Sequence, residues 1–169
     1  MPIKPPQQVF DKVVTLVEDE EVRSEAIRVL GDWEYINSIE LIAKHLNDHS
    51  ELVRLDAIYA LGEIRGNDAL ELLEQISMEQ CSEVEKVRLY QSLIRCGRSE
   101  LIEKWLYFLN SSDALVRANV AGRTWSVCDS NSHAVINSAL EVARNKETHI
   151  FVVNEIDDAL DWLKSKEPM

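Results

Sequence analysis

One dipeptide recurs at a spacing that few folds can use. Val-Arg stands at Val22-Arg23, Val53-Arg54, Val87-Arg88 and Val116-Arg117, so successive copies lie 31, 34 and 29 residues apart. That period suits two short helices with their connections, and self-similarity at such a period is the signature of a repeat architecture. The surroundings recur too. A polar or acidic cluster precedes each pair: Glu18-Asp19-Glu20-Glu21, Asp48-His49-Ser50-Glu51, Ser82-Glu83 and Ser111-Ser112-Asp113. A small residue follows four or five positions after each valine, at Ala26, Ala57, Ser92 and Ala121. Two copies run on to Leu-Gly, at Leu30-Gly31 and Leu61-Gly62, and a third ends in Cys96-Gly97.

Between the pairs lie second apolar-periodic segments, such as Ile39-Leu41-Ile42-Leu46, Leu70-Leu72-Leu73-Ile76, Leu101-Ile102-Leu106-Leu109 and Val135-Ile136-Leu140-Val142. Spacings of three and four mark amphipathic helices. With only five glycines and four prolines in 169 residues, the chain has few breakers and reads as mostly helix. Asn67-Asp68, Ser99 and Ser132 are the expected N-caps, and Gly31, Gly62, Gly66 and Gly97 the expected helix ends. The expectation is one domain over 1–169, made of five helical hairpins at about 7–31, 38–64, 68–96, 99–126 and 132–164. In the last hairpin Ile150-Phe151 stands near the expected Val-Arg, without an arginine. A terminal repeat of a stack departs from the consensus because its outer face meets water.

The motif resembles the HEAT repeat superfamily, and in particular its short variety named after phycobilisome lyases. Ser50-Glu51-Leu52-Val53-Arg54-Leu55-Asp56-Ala57-Ile58-Tyr59-Ala60-Leu61-Gly62 is the nearest copy, with Asp19 to Gly31 close behind. The third and fourth copies are degenerate: Gln91 replaces an alanine, and Thr124-Trp125 replaces Leu-Gly. The resemblance implies an all-α fold, an α-solenoid of about five HEAT-like hairpins. It also implies a structural role for Arg23, Arg54, Arg88 and Arg117. In that family the arginine pairs with acidic or carbonyl groups across the repeat junction, and the upstream Glu20, Glu21, Asp48, Glu83 and Asp113 are the expected partners.

The formal net charge is −12. A field of that sign repels phosphate backbones, so nucleic acid is excluded as a nonspecific ligand and a basic protein is favoured. HEAT-like DNA glycosylases need a cationic concave surface, which this charge opposes. Met1-Pro2-Ile3-Lys4-Pro5-Pro6 lacks the apolar core of a signal peptide, and no apolar run approaches the ~18 residues that span a bilayer. Cys81, Cys96 and Cys128 are odd in number and widely spaced, as expected of reduced thiols in a cytoplasmic protein. His45, His49, His133 and His149 include no His-Glu pair of the kind repeated in diiron hydroxylases built on HEAT repeats. His45 and His49 are four apart, but a loop at Asn47-Asp48 is expected to separate their faces. No phosphate loop, nucleophile elbow or metal-ligand spacing is present, so neither cofactor nor metal is expected.

What remains is binding. The resemblance implies that the helix starting at Val-Arg lines the concave face. Counting three and six or seven residues from each valine gives the outward strip Glu25, Arg28, Asp56, Tyr59, Tyr90, Ile94, Asn119 and Arg123. Tyrosine and arginine are frequent interface anchors. Leu55 and Leu89 would add exposed apolar surface, and Trp33, Tyr35, Trp105, Tyr107 and Trp125 are further candidates beside core packing. The acidic stretch Asp157-Asp158-Ala159-Leu160-Asp161-Trp162 is a second candidate contact. The leading expectation is therefore a non-catalytic module, monomeric or in a hetero-complex, holding a basic protein partner on its concave face. A bacterial immunity protein that blocks a basic toxin is its concrete form. The alternatives are a bilin-lyase-like enzyme or tetrapyrrole chaperone, implied by the repeat variety, and a structural adaptor in a larger assembly.

Overall fold

The computed structural model describes residues 5–166. Met1 to Lys4, part of the segment that lacks a signal-peptide core, lie outside them. Among the described residues the fold is all-α, with ten α-helices, short 3-10 turns and no strand. No helix among them is long and apolar enough to cross a membrane.

The chain forms two compact units. The first comprises residues up to Cys81 together with Arg95–Gly97, and the second Ser82–Ile94 with the chain from Arg98 onward. The first holds α1 (Gln7–Leu16), α2 (Arg23–Asp32), α3 (Ile39–Ala43), α4 (Glu51–Ile64) and α5 (Asn67–Glu74). The second holds most of α6 (Glu83–Arg95), then α7 (Ile102–Leu106), α8 (Ala114–Gly122), α9 (His133–Lys146) and α10 (Ile150–Lys164).

Each unit buries the apolar face that its helical periodicity lays out. In the first, Ile27 and Leu30 of α2, Ile42 of α3, Ala57, Ile58 and Leu61 of α4, and Leu73 of α5 are buried. In the second, Trp105, Val120, Ile136, Leu140, Val152, Ile156 and Leu163 form one cluster. Each such leucine or isoleucine contributes about 1.5–3 kcal/mol by leaving water.

The helix ends differ from expectation in a way that packing explains. Gly31 and Gly62 do not stop their helices, which continue to Asp32 and Ile64. Gly31 serves close approach: a Cβ there would fall 2.5 Å from Ala60 Cα and 2.7 Å from Ala60 Cβ, so α2 and α4 meet nearly backbone to backbone. Of the four glycines expected at helix ends, Gly66 and Gly97 adopt positive φ, at 90° and 108°, a backbone conformation that glycine takes at little cost. Capping falls to aspartates in the connecting turns rather than to Asn67, Ser99 or Ser132. The Asp113 carboxylate accepts from the Leu115 N–H at the start of α8 (2.8 Å). Asp48 accepts from Ser50 N–H ahead of α4 (2.9 Å). Ser132 instead donates its hydroxyl to Asp129 (2.7 Å). At α6 the Ser82 N–H donates to the Glu85 carboxylate (2.8 Å), and the Glu85 N–H donates to the Ser82 hydroxyl (3.2 Å), which is a reciprocal capping box.

Candidate functional site

Three of the four repeat arginines do the same thing. Arg23 donates to the carbonyls of Val17 (2.8 Å) and Glu18 (3.3 Å). Arg54 donates to those of Asp48 (2.7 Å) and His49 (3.2 Å). Arg117 donates to those of Ser111 (2.8 Å) and Ser112 (3.1 Å). In each case the guanidinium sits early in a second helix and reaches back six and five residues, over the turn from the first. It thereby satisfies carbonyls left without partners where one helix ends and the next begins. Arg88 departs from this pattern and donates to Gln91 (3.4 Å); the turn before it is the one closed by the Ser82–Glu85 box.

Two of the arginines also reach forward to the next hairpin. Arg23 lies 3.4 Å from Asp48, and Arg117 grips Glu147 with two hydrogen bonds of 2.6 and 3.0 Å. Of the acids expected as partners, Asp48 thus pairs with a repeat arginine, whereas Asp113 caps α8 and Glu83 accepts from the Ser111 hydroxyl (2.6 Å). The Arg117 bonds, aided by the N–H groups of His149 and Thr148, hold the Glu147 carboxyl down at about 2. These arginines are committed to the fold.

The outward strip divides. In the first unit Glu25 and Arg28 are exposed on α2, and Arg28 lies 3.6 Å from Asp32. The Tyr59 hydroxyl donates to the other Asp32 oxygen (2.6 Å), and burial together with that carboxylate pushes the phenol above its ordinary value. Asp56 is not outward. It is buried and accepts from the Ser24 hydroxyl of α2, because the flank of α4 that carries it is covered by α2. Leu55 is half-buried. On α6 the count also misplaces residues: Leu89 and Ile94 are buried, and Tyr90 is half-buried with its ring 6.1 Å from that of Phe108. Trp33 and Tyr35 pack on Phe10, edge-on at 5.1 Å and stacked at 4.1 Å. Trp105 is wholly buried, and its indole N–H has no acceptor among the described residues.

The second unit presents a different surface. Asn119 and Arg123 of the strip line an open hollow of about 310 Å³ between α8 and α10, together with Leu115, Trp125, Phe151 and Glu155. Three of these are large apolar side chains left in water: Trp125 is 62% exposed, Leu115 61% and Phe151 44%. An adjoining hollow of about 230 Å³ shares Trp125 and Glu155 and continues to Asp158 and Trp162. Of the acidic stretch, Asp157 is taken by Arg144 (2.6 Å) and Asp161 by Lys164 (3.0 Å). Asp158 stays exposed on the groove. Phe151 and Glu155 were missed because the fifth copy lacks Val-Arg, and Leu115 because the count runs forward from each valine and it stands one residue before Val116. The signal was nonetheless present: Val152, buried third residue of α10, occupies the place of Val53 in α4 and Val116 in α8. Counting three from it gives Glu155, as the same count gives Asp56 and Asn119.

The chemistry-bearing residues elsewhere form no site. His45 and His49 each approach one oxygen of the Asp48 carboxylate, their Nδ1 atoms at 3.4 and 3.1 Å, with His45 largely buried and His49 exposed. No group of three or more metal-ligating side chains occurs among the described residues. Among the described residues no cysteine is in a disulfide, and all three are half-buried. Burial pushes the Cys96 and Cys128 thiols up, away from the thiolate form that reacts.

No curated protein matches the chain. Residues 11–94 match the family model for HEAT repeats, a stretch that begins within α1 and ends within α6. Proteins built from such repeats are typically non-enzymatic scaffolds that mediate protein–protein interaction. The hairpins that carry Val22-Arg23 and Val53-Arg54, and most of the helix that carries Val87-Arg88, thus match HEAT repeats, and this match supports placing the chain in the HEAT-like repeat superfamily with its all-α, helical-solenoid fold.

Proposed function

We propose that this chain is a non-catalytic binding module that takes a basic protein partner on the outward faces of its Val-Arg helices, with the groove of α8 and α10 as the main contact. The observation that carries this reading is the cluster of Leu115, Trp125 and Phe151 in water around the Glu155 carboxylate. Monomeric proteins seldom leave large apolar side chains grouped in this way, and such groups mark interaction sites. Tryptophan is also among the most frequent energetic anchors of interfaces. The charge of −12 adds long-range attraction for a basic partner, which acts on association rate and on the choice of partner more than on final affinity. An immunity protein that neutralises a basic toxin is the concrete form favoured by this size and charge.

The test is capture from the source cell by the full chain and by a Trp125→Ala, Phe151→Ala double variant. Both positions are exposed, so folding is preserved and circular dichroism verifies it. The expected result is a stoichiometric basic partner that elutes with salt and is lost with the double variant. Equal recovery by the double variant, or no partner at all, would overturn the reading.

A further inference from the structure

Resting on that reading, we infer that the groove of α8 and α10 is a receptor for an arginine side chain, presented by a segment of the partner beside a bulky apolar residue. The hollow is shallow and about 310 Å³, room for one or two side chains rather than a folded domain edge. Its apolar wall, from Leu115 and Phe151, suits the aliphatic neighbour.

The remaining wall is matched to a guanidinium. Trp125 presents a largely bare indole, and no ring or cation among the described residues sits on it. Trp162 in the adjoining hollow differs, since Lys166 Nζ lies 5.8 Å from its ring centre. Glu155 is half-buried and makes no hydrogen bond or ion pair among the described residues. Its carboxylate lies against Gly122, in the space a Cβ would fill. The cations nearby have carboxylate or amide partners: Arg123 donates to Asn119 (3.1 Å), Arg144 to Asp157 and Lys164 to Asp161. The groove therefore offers an indole face together with a carboxylate that makes no ion pair among the described residues, with Asp158 beyond. A planar guanidinium can stack on the indole and present its N–H edge to the carboxylate in one pose. A lysine ammonium, a compact point charge, satisfies one of the two at a time.

The experiment is selection of random dodecapeptides on phage against the immobilised full chain. The selected peptides are then titrated by fluorescence anisotropy against wild type, Glu155→Gln and Trp125→Ala. The expected result is enrichment of arginine within one helical turn of a bulky apolar residue. Affinity should fall about tenfold for Glu155→Gln, where a charge-assisted pair is lost, and by several-fold for Trp125→Ala. Exchanging the peptide's arginine for lysine should also weaken binding several-fold. Peptides selected without arginine, no enrichment, or undiminished binding to Glu155→Gln would each overturn the assignment. A basic partner still captured through Trp125 and Phe151 would then leave the binding-module reading standing, whereas loss of both sinks both.

Discussion

The Arg117–Glu147 clamp should make this protein acid-labile in a way that one substitution removes. Glu147 titrates at about 2 in the fold against an ordinary value of 4.5. Each unit of such a difference corresponds to 1.36 kcal/mol, so the ceiling on its contribution at neutral pH is about 3 kcal/mol. Glu147→Gln leaves Arg117 bound to the carbonyls of Ser111 and Ser112, which keeps that charge partly satisfied. The expected loss at pH 7 is therefore about 2 kcal/mol. Because the folded-state value is depressed, the stabilisation is fully present above about pH 4.5 and fades as pH falls toward 2. Urea denaturation of wild type and variant, measured stepwise from pH 7 to pH 3, reads this directly. The gap between the two should be constant down to about pH 5 and then close. Other carboxylates titrate alike in both proteins and cancel. A gap that stays constant through pH 3 would refute the reasoning, since the glutamate would then act through packing and not through its charge.

Other substitutions test other parts of the fold. Gly31→Ala should destabilise by about 1–3 kcal/mol despite the higher helix propensity of alanine, read as a lowered urea midpoint. Ala60→Gly should rescue it only in part, because Ala60 Cα is the nearest atom. Trp105→Phe should cost within about 1 kcal/mol, since removal of an unsatisfied N–H offsets the lost volume, whereas Trp105→Ala should cost about 3–5 kcal/mol. Tyr59 holds its proton beyond its ordinary value in the fold, so stability should decline as pH rises above 10. Tyr59→Phe should flatten that decline in thermal melts taken from pH 9 to pH 11.

Much of this fold was legible because the repeat writes its own register. A recurring Val-Arg pair at or near the start of successive helices, its valine buried in the last three copies, located the second helix of four hairpins. The failures share one cause, which is that counting along one helix does not see its neighbours. Asp56 and Ile94 fall on the strip by arithmetic, yet the rotation of a packed helix is set by what covers each flank. Gly31 reads as a stop signal, but the missing Cβ serves the approach of Ala60, a residue 29 positions away. The arginines were expected to seek carboxylates upstream. They find the backbone carbonyls of the preceding turn, which the resemblance also implied, and two of them take a carboxylate from farther along the chain, Asp48 for Arg23 and Glu147 for Arg117. The groove itself was half visible, through Asn119, Arg123 and Trp125, and the α10 half was hidden by a repeat that had lost its marker.

Glu155 has a consequence for the chain when nothing is bound. Its carboxylate makes no ion pair among the described residues in a chain of net charge −12, where self-repulsion opposes the compact state, so the empty protein is short of one cation at a defined point. Whatever supplies it stabilises the fold by mass action, and the melting temperature becomes a gauge of occupancy. Neutralising the residue, as in Glu155→Gln, should make the free protein more heat-resistant while weakening its hold on a ligand, a common exchange between stability and function. Gly122 is what sustains that deficit. Any larger residue there would displace the carboxylate toward solvent and let water do the partner's work.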